Sequence, residues 1–143
     1  MLSAPGACFL QETDPTRLGA DRTATVLVVE DDRAVRYLFT EVLRGNGFEV
    51  IACEDGATGL ATAKARINDI HALVTDCRMP GLDGRELIAQ VRTLRPTLPI
   101  LVVSGNIDDN AARIADPAIR YLVKPLSPDL LTVELRRLLC GTM

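Results

Sequence analysis

From about residue 25 onward, apolar residues form short continuous runs that alternate with segments of helical periodicity. The short runs are rich in valine, isoleucine and leucine and end in polar residues. This pattern is typical of strands that are buried on both faces of a parallel sheet. The predicted strands are residues 26–29, 48–52, 70–75, 99–103 and 120–123.

The segments between these strands have helical spacing. Val35, Phe39 and Val42 recur three or four residues apart on one helix face, and a Gly-Asn-Gly turn follows. Ser127 stands before Pro128, a pairing that predicts a capped helix start. Further helices are predicted at residues 55–66, 87–94, 108–115 and 127–139, of which the one at 108–115 is short and polar.

Five strand–helix units in strict alternation predict an α/β fold, a three-layer α/β/α sandwich around a five-stranded parallel sheet. A closed barrel of this kind needs eight such units. Residues 1–24 have no apolar period and are rich in Pro, Gly, Thr and Asp, so we predict a flexible N-terminal tail or linker there.

Composition narrows the function classes. The 143 residues suit one domain, and a net charge of -3 provides no general attraction to DNA or to an anionic membrane. With a single histidine and no close cysteine pair, a zinc site is not expected. We expect a cytoplasmic protein without membrane insertion, because the chain has neither a secretory signal pattern nor a long apolar span. The four cysteines are Cys8, Cys53, Cys77 and Cys140.

Polar side chains follow four of the predicted strands. In open parallel sheets, sites form beyond the carboxyl ends of the strands, so these side chains are expected to meet at one edge. Clustered carboxylates repel one another, and a bound cation relieves that repulsion. Oxygen ligands without His or Cys favour Mg²⁺ (or Mn²⁺). The residues at these strand ends are Glu30, Asp31, Asp32, Asp76, Ser104 and Lys124.

This set of side chains also fits phosphoryl transfer. A carboxylate can itself be the nucleophile and become an aspartyl phosphate. Lys124 supplies a compact positive charge for one phosphoryl oxygen, and the Ser104 hydroxyl can donate to another. The bound cation leaves coordination positions open for a third oxygen.

Four segments, in order, resemble the receiver domain of two-component response regulators, and together they are highly specific. They are VLVVEDD at 26–32, LVTDCRMPGLDG at 73–84, VVSG at 102–105 and YLVKP at 121–125. The resemblance covers residues 25–140 and implies the flavodoxin-like strand order 2-1-3-4-5. The sequence pattern is similar both to that of stand-alone receivers and to that of receivers in hybrid histidine kinases.

The resemblance implies a role for each matching residue. Asp76 is the expected phosphoacceptor and a metal ligand, Asp31 a direct ligand, and Glu30 a ligand that acts partly through water. The backbone carbonyl of Arg78 is expected to complete the coordination. The remaining implied features are Lys124 as the phosphoryl contact, Ser104 and Tyr121 as a coupled switch pair, and a cis Lys124–Pro125 peptide.

The resemblance also implies partners: a histidine kinase or histidine phosphotransfer protein as donor, and a downstream protein that reads the surface around the fourth helix, fifth strand and last helix. A homodimer is compatible with it. Four residues follow Leu139, so we expect no direct nucleic-acid binding. Leu126 stands where the family usually has an aromatic residue, and the segment from Ser104 to Tyr121 is short, so this output surface departs from the family pattern.

Two alternatives stay open. One is a degenerate receiver that acts only as a protein-interaction module. The other is an aspartate-nucleophile phosphatase, although in that class the nucleophile ends the first strand, where this chain has Glu30. Arg78 is a further hypothesis, as a side chain that hinders hydrolysis of the phosphoryl group.

Overall fold

The computed structural model describes residues 23–105 and 116–140, so residues 1–22 of the predicted tail at 1–24 and the predicted helix at 108–115 lie outside the described residues. Within the described residues, strands and helices alternate as predicted up to β4. The elements are β1 (Thr25–Val29), α1 (Arg33–Gly45), β2 (Glu49–Cys53), α2 (Gly56–Arg66), β3 (Ala72–Asp76), α3 (Gly84–Leu94), β4 (Ile100–Ser104), β5 (Ile119–Val123) and α4 (Pro128–Cys140).

Three strands, β2, β3 and β4, begin later than predicted, and for β2 and β3 the preceding residues close a helix instead. The backbone N–H of Phe48 donates to the Leu43 carbonyl at the end of α1 (3.0 Å), so β2 begins at Glu49, one residue later than predicted. The N–H of Ile70 donates in the same way to the Arg66 carbonyl at the end of α2 (3.2 Å). Both side chains are buried, so their apolar character indicated the core correctly but not the strand.

All five strands are parallel and follow the order β2-β1-β3-β4-β5, which confirms the predicted flavodoxin-like topology. Every residue of β1, β3 and β4 is buried, as expected for central strands covered on both faces. The outer strands β2 and β5 mix buried and exposed positions. The strand order reverses between β1 and β3, which is where a site is expected in this fold.

Two apolar layers flank the sheet. One contains Leu87 and Val91 of α3 with Ala63 of α2, and the other contains Phe39 and Leu43 of α1 with leucines of α4. Burying aliphatic side chains contributes roughly 1.5–3 kcal/mol each, so these layers fix the helices on the sheet. Among the described residues, no helix is both long and apolar enough to cross a membrane.

Candidate functional site

The strand ends bring the predicted acids to one edge of the sheet. Asp76 is the last residue of β3 and lies opposite Val103 of β4 in the register. Glu30 directly follows β1, and its backbone N–H donates to the Cys53 carbonyl of β2 (3.1 Å). Asp76 and Glu30 are both buried, whereas Asp31 is exposed.

Lys124 joins two of these acids. Its Nζ lies 2.9 Å from Oε1 of Glu30 and 3.1 Å from Oδ2 of Asp76. The side chain of Lys124 is 21% exposed, against 2% for Glu30 and 11% for Asp76, so all three charges are largely removed from water. Buried ion pairs of this kind need further hydrogen bonds to offset their desolvation.

The backbone provides those bonds. The second oxygen of Glu30, Oε2, accepts from the Asp32 N–H (3.0 Å), and Oδ1 of Asp76 accepts from the Arg78 N–H (3.4 Å). The N–H of Lys124 donates to the Ser104 carbonyl (2.6 Å), so the lysine backbone is attached to the end of β4. The Lys124–Pro125 peptide that follows is cis, as the resemblance implies.

Three carboxylates fit a divalent cation. Glu30, Asp31 and Asp76 each offer one oxygen, and these three atoms lie within 4.8 Å of one another. The donors are all hard oxygens, which suits Mg²⁺ or Mn²⁺ rather than zinc or copper. Of these three acids, Lys124 pairs with Glu30 and Asp76, so the cluster keeps an excess of negative charge that a cation would neutralise.

Asp32 does not belong to this group, although it follows the same strand. Its Oδ1 accepts from the N–H groups of Ala34 (2.9 Å) and Val35 (3.1 Å), and it therefore caps the N-terminus of α1. The expectation that all three acids after the first strand meet at the site is wrong for this residue. Its carboxylate instead accepts hydrogen bonds from the first turn of α1.

Burial raises the pKa of Glu30 to about 7, and the nearby Asp76 charge adds to the effect, while bonds from Lys124 and the Asp32 N–H oppose it. For Lys124, burial alone lowers the pKa, but its bonds to Glu30 and Asp76 outweigh burial and raise the pKa overall. The lysine therefore stays cationic, and near neutral pH the cluster attracts either a proton or a metal.

The turn after Asp76 depends on a glycine. Asp83 caps α3 in a reciprocal pairing with Glu86, and the Gly84 N–H donates to the Cys77 carbonyl (2.9 Å). A Cβ added to Gly84 would lie 2.0 Å from the Asp76 carbonyl oxygen. Only glycine lets the first turn of α3 approach the Asp76 backbone this closely, which gives a specific reason for Gly84 at this position.

The other predicted residues occupy the expected elements. Ser104 is buried at the end of β4, and Tyr121 is half-buried in β5 opposite Val102. Arg78 is exposed beside Asp76. The roles of these residues as switch pair and carbonyl ligand stay predictions. Leu126 packs against the apolar layer of α1 and α4, so the unusual residue after Lys-Pro is accommodated.

Sequence reasoning missed Arg36. From the first turn of α1, its Nη1 donates to the Glu30 backbone carbonyl (2.9 Å). Its position on the half-buried side of a helix resembles that of many solvated arginines. No sequence signal distinguishes it, because its reach back to the strand end depends on the angle between β1 and α1.

Comparison with known proteins agrees with this geometry. A family model described as the response regulator receiver domain matches residues 26–136. The chain therefore belongs to the response-regulator receiver domain family.

Among curated proteins, the chain is 35% identical over 106 residues to the DNA-binding transcriptional regulator NtrC of Escherichia coli (strain K12). It is 38% identical over 119 residues to the response regulator MprA of Mycobacterium avium (strain 104). The matches cover 73% and 82% of this chain, but only 22% and 51% of those proteins, so the chain spans a fraction of their length.

Solved structures lead to the same family. The chemotaxis protein CheY4 of Vibrio cholerae is 28% identical with a TM-score of 0.72, and the match covers 82% of this chain and 99% of that one. The receiver domain of the hybrid histidine kinase CckA is 30% identical with a TM-score of 0.71, covering 81% and 99%.

Proposed function

We propose that this domain is a phosphorylation switch in which Asp76 accepts a phosphoryl group from a phosphohistidine with the help of a divalent cation. The observation that carries the proposal is the position of Lys124 Nζ, 3.1 Å from the Asp76 carboxylate and 2.9 Å from that of Glu30. A lysine fixed beside a prospective nucleophile can stabilise the charge that develops on a transferred phosphoryl group.

The transfer follows from the chemistry of a carboxylate nucleophile. An oxygen of Asp76 forms a bond to phosphorus as the phosphorus–nitrogen bond to the donor imidazole breaks. The imidazole nitrogen keeps the electron pair and takes up a proton. The Lys124 ammonium then turns from the carboxylate toward a phosphoryl oxygen, and Glu30 keeps the lysine in place through its 2.9 Å contact.

The proposed cation site consists of Asp31 and Asp76, with Glu30 acting partly through water and the Arg78 carbonyl as a further ligand. When bound, Mg²⁺ (or Mn²⁺) supplies positive charge that offsets repulsion between the acids and the incoming phosphate. The 4.8 Å limit on the carboxylate oxygens of Glu30, Asp31 and Asp76 is compatible with these roles.

The proposed output is a rearrangement near Ser104 and Tyr121. Phosphorylation adds acceptor oxygens, to which the Ser104 hydroxyl donates, and Tyr121 turns inward from its half-buried position on β5. The surface of β5 and α4 then changes its affinity for a downstream protein. The proposed donors are a histidine kinase or a histidine phosphotransfer protein, and we propose no direct contact of this domain with nucleic acid.

Labelling with a small phosphodonor such as acetyl phosphate tests the proposal. Wild type should gain an acid-stable, base-labile phosphoryl group in Mg²⁺ and not in excess chelator. Asp76→Asn should abolish it. Asp69→Asn is the matched control, because Asp69 is exposed and pairs with the exposed Arg66. Retained labelling of Asp76→Asn refutes the assignment of the acceptor.

Labelling, together with release of inorganic phosphate, distinguishes a switch from a degenerate receiver and from a phosphatase. A degenerate receiver would bind its partner but take no label in wild type. An aspartate-nucleophile phosphatase would release inorganic phosphate from monoesters continuously, with many turnovers per chain. A switch should instead accumulate close to one phosphoryl group per chain and lose it slowly.

A further inference from the structure

We infer that Arg36 is a positioning residue for the proposed cation site, and that it acts by fixing the backbone on which Asp31 stands. The inference rests on the proposed function, because it concerns the same acids. It begins from the 2.9 Å bond between Arg36 Nη1 and the Glu30 carbonyl. That carbonyl lies beyond the β1–β3 pairing, which ends at Val29 and Thr75.

Asp31 has no side-chain hydrogen bond of its own among the contacts found in residues 23–105 and 116–140, and it is exposed. Its position therefore depends on the two peptide units that flank it. The carbonyl of the preceding unit, on Glu30, accepts from Arg36. The N–H of the following unit, on Asp32, donates to Oε2 of Glu30 (3.0 Å). The peptides on both sides of Asp31 are thus fixed.

Arg36 is itself fixed by the helix. Its N–H donates to the Asp32 carbonyl (2.9 Å), and its carbonyl accepts from the Thr40 hydroxyl (2.8 Å). Asp32 in turn caps the helix. The arginine therefore transmits the position of α1 to the strand end. Outer residues that orient a ligand commonly change metal affinity by tenfold or more.

The sign of the effect distinguishes positioning from simple electrostatics. Arg36 is a cation close to a cation site, so removing its charge alone would strengthen Mg²⁺ binding. Loss of positioning would weaken it, because Asp31 would pay more ordering entropy on binding. The two explanations predict opposite changes.

The test is the Mg²⁺ dissociation constant of the unphosphorylated protein, measured by calorimetric titration. Arg36→Gln should raise it by about tenfold. Arg33→Gln is the matched control: it removes the same charge from an exposed position in the same helix turn and should leave the constant unchanged or slightly lower. Arg36→Lys keeps the charge with fewer donors and should be intermediate. If the Mg²⁺ dissociation constant of Arg36→Gln is equal to or below that of Arg33→Gln, the inference is overturned.

Two further measurements keep the test decisive. Thermal unfolding establishes whether Arg36→Gln is folded; if it is not, Arg36→Lys decides, and a constant equal to wild type overturns the inference. Amide resonances of Asp31 and Asp32 should broaden in Arg36→Gln and stay sharp in Arg33→Gln. Failure here leaves the proposed function intact as long as wild type binds Mg²⁺ and is labelled at Asp76, whereas absence of both overturns the proposed function instead.

Discussion

The two ends of the parallel strands carry charged networks with different kinds of partner. The amino edge is the side of the sheet where the strands begin, and the carboxyl edge is the side where they end. At the amino edge, Arg92 Nε lies 2.8 Å from Oδ2 of Asp116, and its Nη1 donates to the Leu98 carbonyl (2.7 Å). Arg95 donates through one nitrogen to the carbonyls of Ile70 (2.6 Å) and Ile67 (3.1 Å). These arginines satisfy backbone carbonyls where the chain enters β3 and β4, and Arg92 pairs with the Asp116 carboxylate before β5.

At the carboxyl edge the balance is reversed. A single ammonium, on Lys124, faces the carboxylates of Glu30 and Asp76, and the exposed Asp31 lies close by. The acids outnumber the ammonium there, and burial of like charges is unfavourable.

The comparison teaches how to distinguish a structural charge network from a functional one in the same fold. Where a carboxylate has its own cation, and that cation also donates hydrogen bonds to backbone carbonyls, the network stabilises the loops. Where buried carboxylates outnumber cations, the site has capacity for a ligand with positive charge. Substitutions at the two edges should therefore affect different observables.

The largest effect is expected for Lys124→Met. Loss of the ammonium removes the group proposed to stabilise charge on the transferred phosphoryl group, so the labelling rate should fall by about 100-fold or more. Mg²⁺ affinity should rise, because the competing cation is gone. Lys64→Met, at an exposed position on α2, is the control. Labelling of Lys124→Met at the rate of this control would contradict the comparison.

Glu30→Gln should stabilise the metal-free protein at pH 8 by about 1–3 kcal/mol. Burial raises the pKa of Glu30 from 4.5 to about 7, so its stability contribution is full below 4.5 and is lost as the pH rises through 7. The advantage of the variant should therefore shrink toward pH 5. Urea unfolding in chelator measures it, and a less stable variant at pH 8 would mean that the Lys124 pairing outweighs burial.

The smallest effect is expected at the amino edge. Asp116→Asn should lower the free energy of unfolding by about 1–2 kcal/mol while leaving the labelling rate unchanged. Asp69→Asn, whose pairing with Arg66 is exposed on both sides, should cost less than about 0.5 kcal/mol. Slower labelling of Asp116→Asn would show that the two edges are not independent.

The same substitution has a pH signature opposite to that of Glu30. Burial alone raises the pKa of Asp116, but bonds from the Ala118 N–H and from Arg92 bring it below its ordinary value. Its contribution is therefore present above that ordinary value and is lost as the pH falls through the lowered one. The difference between wild type and Asp116→Asn should persist at pH 7 and shrink in acid. A difference that grows in acid would contradict the assigned sign.

The strand ends could be predicted from sequence because continuous apolar runs mark buried strands and the residue after each run marks the edge. The positions of Asp76, Ser104 and Lys124 follow from this rule. The destinations of flexible side chains could not be predicted. The Asp32 carboxylate caps α1, and the Arg36 guanidinium donates to the Glu30 carbonyl. Both contacts depend on the angle between β1 and α1.

Chemical identification of the modified residue tests the central claim most directly. After treatment with acetyl phosphate and Mg²⁺, borohydride reduces an aspartyl phosphate to homoserine, and peptide mass spectrometry locates the change. The account predicts homoserine at residue 76 in Mg²⁺ and none in chelator. Homoserine at Asp31 or at a surface acid, or no conversion at all, would contradict it.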